Sequence, residues 1–436
     1  MTLIAGAGAG QLIGIVTAPI ITRIYSPTEY GIYSVAVSIL VVSVIACLRY
    51  DFAILLPSDD LTAANVLGLS LAIDVVTSVL LAVVLIAFGP ALLTQLGAGE
   101  MGPFVGLIVV AHAGSGLASS LINWAVRTKD FARIAANRVA QSVALFAAQL
   151  GFGLLRFGAA GLLLATLVAS LVGWLSLGRA AWRRNSREFR SISAAEMRRV
   201  AGRYRRFPMF SSWSALLAQV GLRAPFLMFV VFYGPAIGGV YALAERLCYL
   251  PVTLIAGSVG QVFIADGARL LPDRPAELRA LFNRTTWSLV KIAVVPAVLL
   301  MILAPFVTGP LFGAAWADAG LFVSILVPMF VLAFVITSTG DVLYIVERQG
   351  WQAIREILRV SLLGGSVLVA GIAGLGPLAA LACLSVAGCL TYLAYGAISI
   401  WAIDSYRPTH AAPEAAGSTG SIEVGSANGV ADDPLV

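Results

Sequence analysis

The chain has 436 residues, of which 59% are hydrophobic and only 11% charged, and its mean hydropathy is +0.93. That balance speaks against a water-soluble globule. The net charge of +6 comes almost wholly from one arginine-rich stretch and the other short loops, so it reports orientation in a membrane and not a nucleic-acid partner.

A membrane-spanning helix needs about 20 apolar residues. Segments of that kind lie near 2–21, 31–48, 62–88, 103–125, 135–155 and 157–178, and again near 209–232, 235–262, 286–308, 316–338, 355–373 and 376–402. Met1 runs straight into the first of them with no basic leader and no cleavage site, so no cleavable signal is expected. The expectation is an all-α integral membrane protein of about 12 helices in two six-helix lobes around a central cavity. Its parts are an N-terminal lobe over 1–178, a basic connector over 179–207 and a C-terminal lobe over 208–405. A disordered tail rich in Gly, Ala, Ser, Pro and acids follows over 406–436.

The connector sets the orientation. Ten arginines between Arg179 and Arg206 face only Glu188 and Glu196. Loops rich in arginine and lysine stay on the cytoplasmic side. With both termini cytoplasmic, the inward loops hold Arg49, then Arg127, Lys129 and Arg133, then the connector, and further on Arg269, Arg279, Arg348, Arg355 and Arg359. Little beyond Arg23 and Arg156 falls outside. The two halves also echo one another. Tyr25, Pro27, Gly31, Tyr33 and Ala36 recur as Tyr233, Pro235, Gly239, Tyr241 and Ala244 at a constant offset of 208 residues. Two parallel six-helix repeats would place a substrate site between them.

Residues with catalytic spacing are missing from the sequence. HExxH, GxSxG and paired-carboxylate motifs are absent, as is any loop long enough on the outer side to hold a catalytic constellation, so an enzyme is disfavoured and no cofactor is expected. Cys47, Cys248, Cys383 and Cys389 lie in apolar stretches without metal-ligand spacing. His112 sits mid-helix and reads as structural, and Gly6, Gly8 and Gly10 read as a helix-packing strip.

Charges inside the helices carry more information, because an intramembrane charge costs about 2.5–3.5 kcal/mol and tends to face a partner or a wet cavity. Glu245 and Arg246 lie roughly 15 Å into the eighth segment, near mid-membrane, and Asp74 is at a similar depth in the third. Arg223 lies in the outer half of the seventh segment, Arg23 at the outer end of the first, and Arg49 and Lys291 on the cytoplasmic side. If Arg23, Arg49, Arg223 and Arg246 face one cavity, they form a cationic path suited to an anionic substrate such as a lipid diphosphate. Arg23, Arg49 and Lys291 can equally snorkel to headgroups. Asp74 reads either as a coupling-ion site or as an arginine's partner, and Glu245 and Lys291 are further candidates for coupling or ion pairing.

Four stretches then carry a family resemblance. They are Thr22-Arg23-Ile-Tyr25-Ser-Pro27-Thr-Glu-Tyr-Gly31, then Leu48-Arg49-Tyr50-Asp51 to Pro57 with Ala63-Ala64-Asn65. Next come Tyr204-Arg-Arg-Phe207-Pro208 with Gly234-Pro235, Tyr241-Ala-Leu-Ala-Glu-Arg246, Pro251 and Gly260-Gln261-Val262-Phe263, and last Phe312-Gly-Ala-Ala-Trp316 with Ala319-Gly320. In series they resemble the polysaccharide (O-antigen type) flippases of the multidrug/oligosaccharidyl-lipid/polysaccharide exporter superfamily. The resemblance implies a bacterial inner-membrane protein whose lobes rock about a cationic cavity and carry an undecaprenyl-diphosphate-linked oligosaccharide outward. The partners it implies are that lipid-linked oligosaccharide, membrane lipids and the polysaccharide polymerase machinery, with no nucleic acid. Arg23, Arg49 and Arg246 match family arginines, whereas Arg223 falls on no family motif. Family members usually carry a short polar leader, which puts the true start upstream of Met1 or makes the leader dispensable. The alternative function is a drug or small-solute exporter of the same superfamily.

Overall fold

The computed structural model describes residues 2–40, 45–271, 275–340, 342–346 and 348–406, and every regular element among them is helical. The first group comprises α1 (Thr2–Ile24), α2 (Pro27–Ile39), the short α3 (Tyr50–Ala53), α4 (Asp60–Gln95), α5 (Val105–Arg127), α6 (Phe131–Leu154) and α7 (Gly158–Arg190). After α8 (Ala194–Arg203) comes the second group: α9 (Ser212–Pro251), α10 (Gly257–Leu270), α11 (Pro275–Phe312), α12 (Asp318–Thr339), the short α13 (Val342–Ile345), α14 (Gln349–Arg359), α15 (Gly365–Ile372) and α16 (Pro377–Asp404). Helices α1 to α7 pack mainly among themselves, and α9 to α16 do the same, giving two lobes.

Seven helices among the described residues are long and apolar enough to cross a membrane. The other expected segments fall on helices that are shorter, interrupted or, like the 24-residue α6, less apolar. At Gly234, with φ 82° and ψ 167°, α9 folds back on itself. The Phe229 and Tyr241 rings consequently stack at 4.7 Å, although about 18 Å would separate them along a straight helix. Short π-helical turns join α9 to α10 and α14 to α15. The expected segments thus fall on helices among the described residues, except that α2 ends at Ile39 and residues 41–44 of the second segment lie outside them.

Local chemistry explains the helix starts. Ser26 caps α2 with its hydroxyl on the Glu29 N–H at 3.3 Å, while the Glu29 carboxylate accepts the Ser26 N–H at 2.7 Å. With Pro27 in the first turn, this is a capping box, and it accounts for the Ser-Pro-Thr-Glu run. Asp59 caps α4 by accepting the Thr62 N–H at 2.7 Å, and that bond holds its carboxyl below the usual range.

Two expectations need correction. The arginine-rich connector is not a loop, because α7 runs on to Arg190 with one kink at Asn185 (φ −123°, ψ 25°) and α8 follows. Nothing between Ala180 and Arg184 breaks a helix, arginine is a good helix former, and cations in the last turn suit the helix dipole. Arg355 and Arg359 are likewise helical residues of α14 and not loop cations. Arg355 is buried, donates to the Gly340 carbonyl at 2.8 Å and lies 4.3 Å over the Tyr395 ring. The tail expected beyond residue 406 lies outside the described residues.

At one end of the molecule, opposite the arginine-rich end, the lobes touch. An ideal Cβ on Gly31 would lie 1.9 Å from the Pro235 carbonyl oxygen, and one on Gly239 would lie 1.9 Å from that of Pro27. The repeated residues therefore face one another in matched pairs, as a pseudo-two-fold axis between the lobes requires. Beside them Trp316 is fully buried, packs edge-on to Tyr30 at 5.7 Å and donates its ring N–H to the Thr22 carbonyl at 2.8 Å. Trp316→Phe is expected to cost about 1–3 kcal/mol through the orphaned carbonyl and the lost volume. The variant's melting temperature in detergent should fall, and an unchanged value would remove this contact from the account.

Candidate functional site

Between the lobes, inward of the Gly31–Gly239 contact, lies a cleft. One part has a volume of about 560 Å³ and lies between α1, α6 and α9. On α1 its wall is Gly10, Gly14, Thr17, Ala18 and Ile21, a spacing that keeps one helical face toward the space. On α6 the wall is Arg138, Gln141, Ser142, Leu145 and Gln149, a polar stripe of the same period in an otherwise apolar helix. Arg246, Tyr249 and Leu250 of α9 close it from the second lobe.

The other part, about 320 Å³, reaches into the second lobe past Arg223, Glu245, Arg359 and Tyr392. Tyr30, Tyr33, Arg246 and Tyr249 line both parts, which makes them one continuous cleft. Four guanidiniums, of Arg138, Arg223, Arg246 and Arg359, stand in its walls against the single carboxylate of Glu245.

Arg246 occupies the centre. It springs from the second lobe and donates to the Tyr30 hydroxyl at 3.3 Å and to the Gly14 carbonyl at 3.2 Å, both in the first. Arg359 is held by Glu356 at 2.5 Å and by the Ala218 carbonyl at 3.0 Å. The Nε of Arg223 is buried with no hydrogen-bond partner. Such an arrangement can hold an anion, with hydroxyl and amide groups of Thr17, Gln141, Ser142 and Gln149 beside it for a polyhydroxylated neutral group.

Of the residues singled out by charge and depth, Arg223, Glu245 and Arg246 meet in this cleft. The others do not line it. Arg23 is exposed and donates to the Pro310 carbonyl at 2.8 Å, where the lobes are sealed. Arg49, in the left-handed region at φ 61°, lies at the start of α3 with its guanidinium 3.9 Å over the Phe52 ring. Lys291 is exposed on α11 among the exposed Trp287, Ile292 and Val295, the position of a snorkelling lysine.

Asp74 is buried inside the first lobe against α5, in space that exists only because residue 116 is glycine. A Cβ at Gly116 would lie 2.1 Å from Asp74 Oδ1, and that oxygen has no hydrogen-bond partner. No arginine pairs with Asp74 among the described residues. The fully buried His112 lies one turn before Gly116 on α5, 3.4 Å from the Thr77 hydroxyl. The described residues contain no cluster of three or more His, Cys, Asp or Glu able to hold a metal.

Two cleft cations escaped the sequence reading. The signal for Arg138 was present, because Gln141, Ser142 and Gln149 follow it at helical spacing. Arg359 lies near the start of the expected segment 355–373, where a cation counts toward the positive-inside bias and gives no sign of facing a cleft.

Comparison with known proteins extends these observations. Residues 20–320 match the model of a family described as polysaccharide biosynthesis protein. The succinoglycan biosynthesis transport protein ExoT of Rhizobium meliloti (strain 1021) is 27% identical over 321 residues, which are 70% of this chain and 60% of ExoT. The chain thus spans less than two thirds of that relative's length. Among solved structures, an inward-facing multidrug resistance MATE family transporter of the MOP superfamily aligns over 94% of this chain and 96% of its own, with a TM-score of 0.67 and 18% identity. An outward-facing MATE family transporter aligns over 93% and 94%, with a TM-score of 0.54 and 16% identity. At those identities the likeness is one of fold.

Proposed function

Because the chain belongs to the polysaccharide biosynthesis protein family, a polysaccharide exporter family of the MOP superfamily, we propose that it flips a polyprenyl-diphosphate-linked oligosaccharide across the bacterial inner membrane by alternating access. The observation that carries the reading is the cleft between the lobes, with four guanidiniums against one carboxylate and a polar stripe on α6 beside them. Arg246 and Arg223 hold the diphosphate, since guanidinium forks bind phosphate oxygens in pairs. Gln141, Ser142 and Gln149 meet glycan hydroxyls, and the polyprenyl tail stays in lipid between the lobes.

The arginine-rich end is cytoplasmic, as are both termini, in accord with the positive-inside bias. The present arrangement is then the state that loads from the cytoplasm. Lobes 1–178 and 208–405 rock as homologous repeats about the cleft, opening the Gly31–Gly239 contact as the other end closes. The chain moves its substrate without breaking a bond in it, and is not an enzyme.

Asp74 is the coupling site. A carboxylate charge buried without a cation is costly, so Asp74 gains or loses a proton or small cation as the first lobe changes shape. Asp74→Asn keeps the shape and removes the charge. Gradient-driven transport by this variant should fall at least tenfold while substrate binding persists. Wild-type gradient dependence in Asp74→Asn would take the coupling role away from this residue.

The reading is tested in a strain lacking the gene. Deletion is expected to remove the surface polysaccharide and to strand its undecaprenyl-linked intermediate in the cytoplasmic leaflet. Normal polysaccharide and intermediates in the deletion, with gain of drug resistance on overexpression, would replace this reading by export of small solutes.

A further inference from the structure

A second basic site lies on the outside of the first lobe. At the arginine-rich end α6 and α7 enclose a pocket of about 150 Å³ lined by Arg133, Ser176, Arg179, Arg183 and Arg184 together with Ala180. It is distinct from the cleft. Arg133 precedes Arg138 by five residues, which places it about 140° around α6 from the cleft face.

The chemistry of the pocket is one-sided. Arg133 and Arg184 share one carboxylate oxygen of Asp130, at 3.1 and 2.7 Å, and are thereby fixed in place. Neither Arg179 nor Arg183 has an acidic partner among the described residues. Ser176, Arg179 and Arg183 follow one another at one-turn spacing on α7, and the kink at Asn185 ends that straight stretch just beyond them. Arg179 and Arg183 add two uncompensated charges to the Arg133–Asp130–Arg184 cluster, and these repel one another and their neighbours unless a further anion joins them.

The surroundings indicate the kind of anion. The arginines sit where the apolar part of α7 gives way to its charged end, which is the depth of lipid headgroups. On the membrane side of that boundary the surface exposes Leu171, Leu175 and Val143, and Trp182 is exposed beside the pocket. Exposed apolar side chains below a basic pocket between helices form a site for a phosphate that carries acyl chains.

We infer that this pocket binds the headgroup phosphate of an anionic phospholipid, held by Arg179 and Arg183 with the Ser176 hydroxyl, its chains lying on the exposed apolar strip of α6 and α7. The full chain would be placed in phosphatidylcholine nanodiscs containing a minor fraction of phosphatidylglycerol, and the lipid that remains bound after mild extraction counted by native mass spectrometry. Wild type should retain phosphatidylglycerol about tenfold over its share of the bilayer. The pair Arg179→Gln/Arg183→Gln should lose most of that enrichment, and Arg179→Lys/Arg183→Lys should keep a good part of it. The pair Arg198→Gln/Arg199→Gln, with the same change in net charge on α8, should keep all of it, and inorganic phosphate should not displace the lipid. Equal loss in the two glutamine pairs would reduce the effect to general surface charge. Displacement by inorganic phosphate would make the pocket a simple anion site, and no enrichment in wild type would end the proposal.

Discussion

Gly31→Ala is expected to stop transport and to leave the sealed end of the protein open. A methyl group there would lie 1.9 Å from the Pro235 carbonyl oxygen and 3.1 Å from the Gly239 nitrogen, and all of these are backbone atoms. No flexible side chain can yield, so the lobes themselves must part. Overpacking of this kind costs roughly 1–3 kcal/mol, and 1.4 kcal/mol is a factor of ten in a two-state equilibrium. Transport should therefore fall at least tenfold. Gly239→Ala, which meets the Pro27 carbonyl in the same way, should behave alike. Gly106→Ala, where nothing lies within 4 Å, should be silent. The check is labelling by a membrane-impermeant thiol reagent at Ile32→Cys, a buried position on α2, with the four native cysteines replaced. Labelling from the sealed side should rise about tenfold in the two glycine variants. Wild-type labelling and transport would show that this contact does not hold the lobes together.

The second large effect belongs to Arg246. Its removal takes one of four cations from the cleft and also the bonds to Tyr30 and Gly14 that tie the lobes. A hydrogen bond to a charged group is worth about 1.5–3 kcal/mol, so losing one to a substrate phosphate predicts a fall in transport of about ten- to a hundredfold. Arg246→Lys retains the charge without the planar fork and should recover part of the loss. Tyr30→Phe removes only the inter-lobe hydrogen bond and should cost no more than a few-fold. Measured at matched membrane levels, Arg246→Ala should accordingly be the worst of the three. Full transport by Arg246→Ala would discard this residue as a substrate ligand.

Much of the fold was legible because its causes are local. Runs of apolar residues of membrane length mark the helices, and the Ser26–Glu29 capping box is visible as four letters. The Pro27/Pro235 and Gly31/Gly239 repeat marked the two lobes, and in three dimensions it forms their mutual contact. The intramembrane charges were also legible, Glu245 and Arg246 near mid-membrane and Arg223 in the outer half of its segment, and these three meet in the cleft.

Direction around a helix was not. A helix that is apolar all round, as α4 is, gives no preferred face, so nothing in the sequence said that Asp74 points into the first lobe and not the cleft. Lys291 on α11 has the same ambiguity, and its exposed neighbours resolve it only in three dimensions. For α6 the polar stripe from Arg138 to Gln149 did contain the direction. Arg23 and Arg49 sit near helix ends, where a long side chain has several places to go, and each is taken up locally, by the Pro310 carbonyl and the Phe52 ring. The connector's charge suggests a loop, but charge alone does not end a helix, and α7 and α8 run through it.

The most direct measurement uses purified protein in proteoliposomes loaded with a polyprenyl-diphosphate oligosaccharide, with the fraction accessible from each leaflet followed over time. Wild type should move the glycan lipid across the bilayer, Arg246→Ala should move it at least ten times more slowly, and empty liposomes should not move it at all. Equal rates for wild type and empty liposomes, with the protein intact and correctly inserted, would contradict the assignment of this cleft to lipid-linked oligosaccharides.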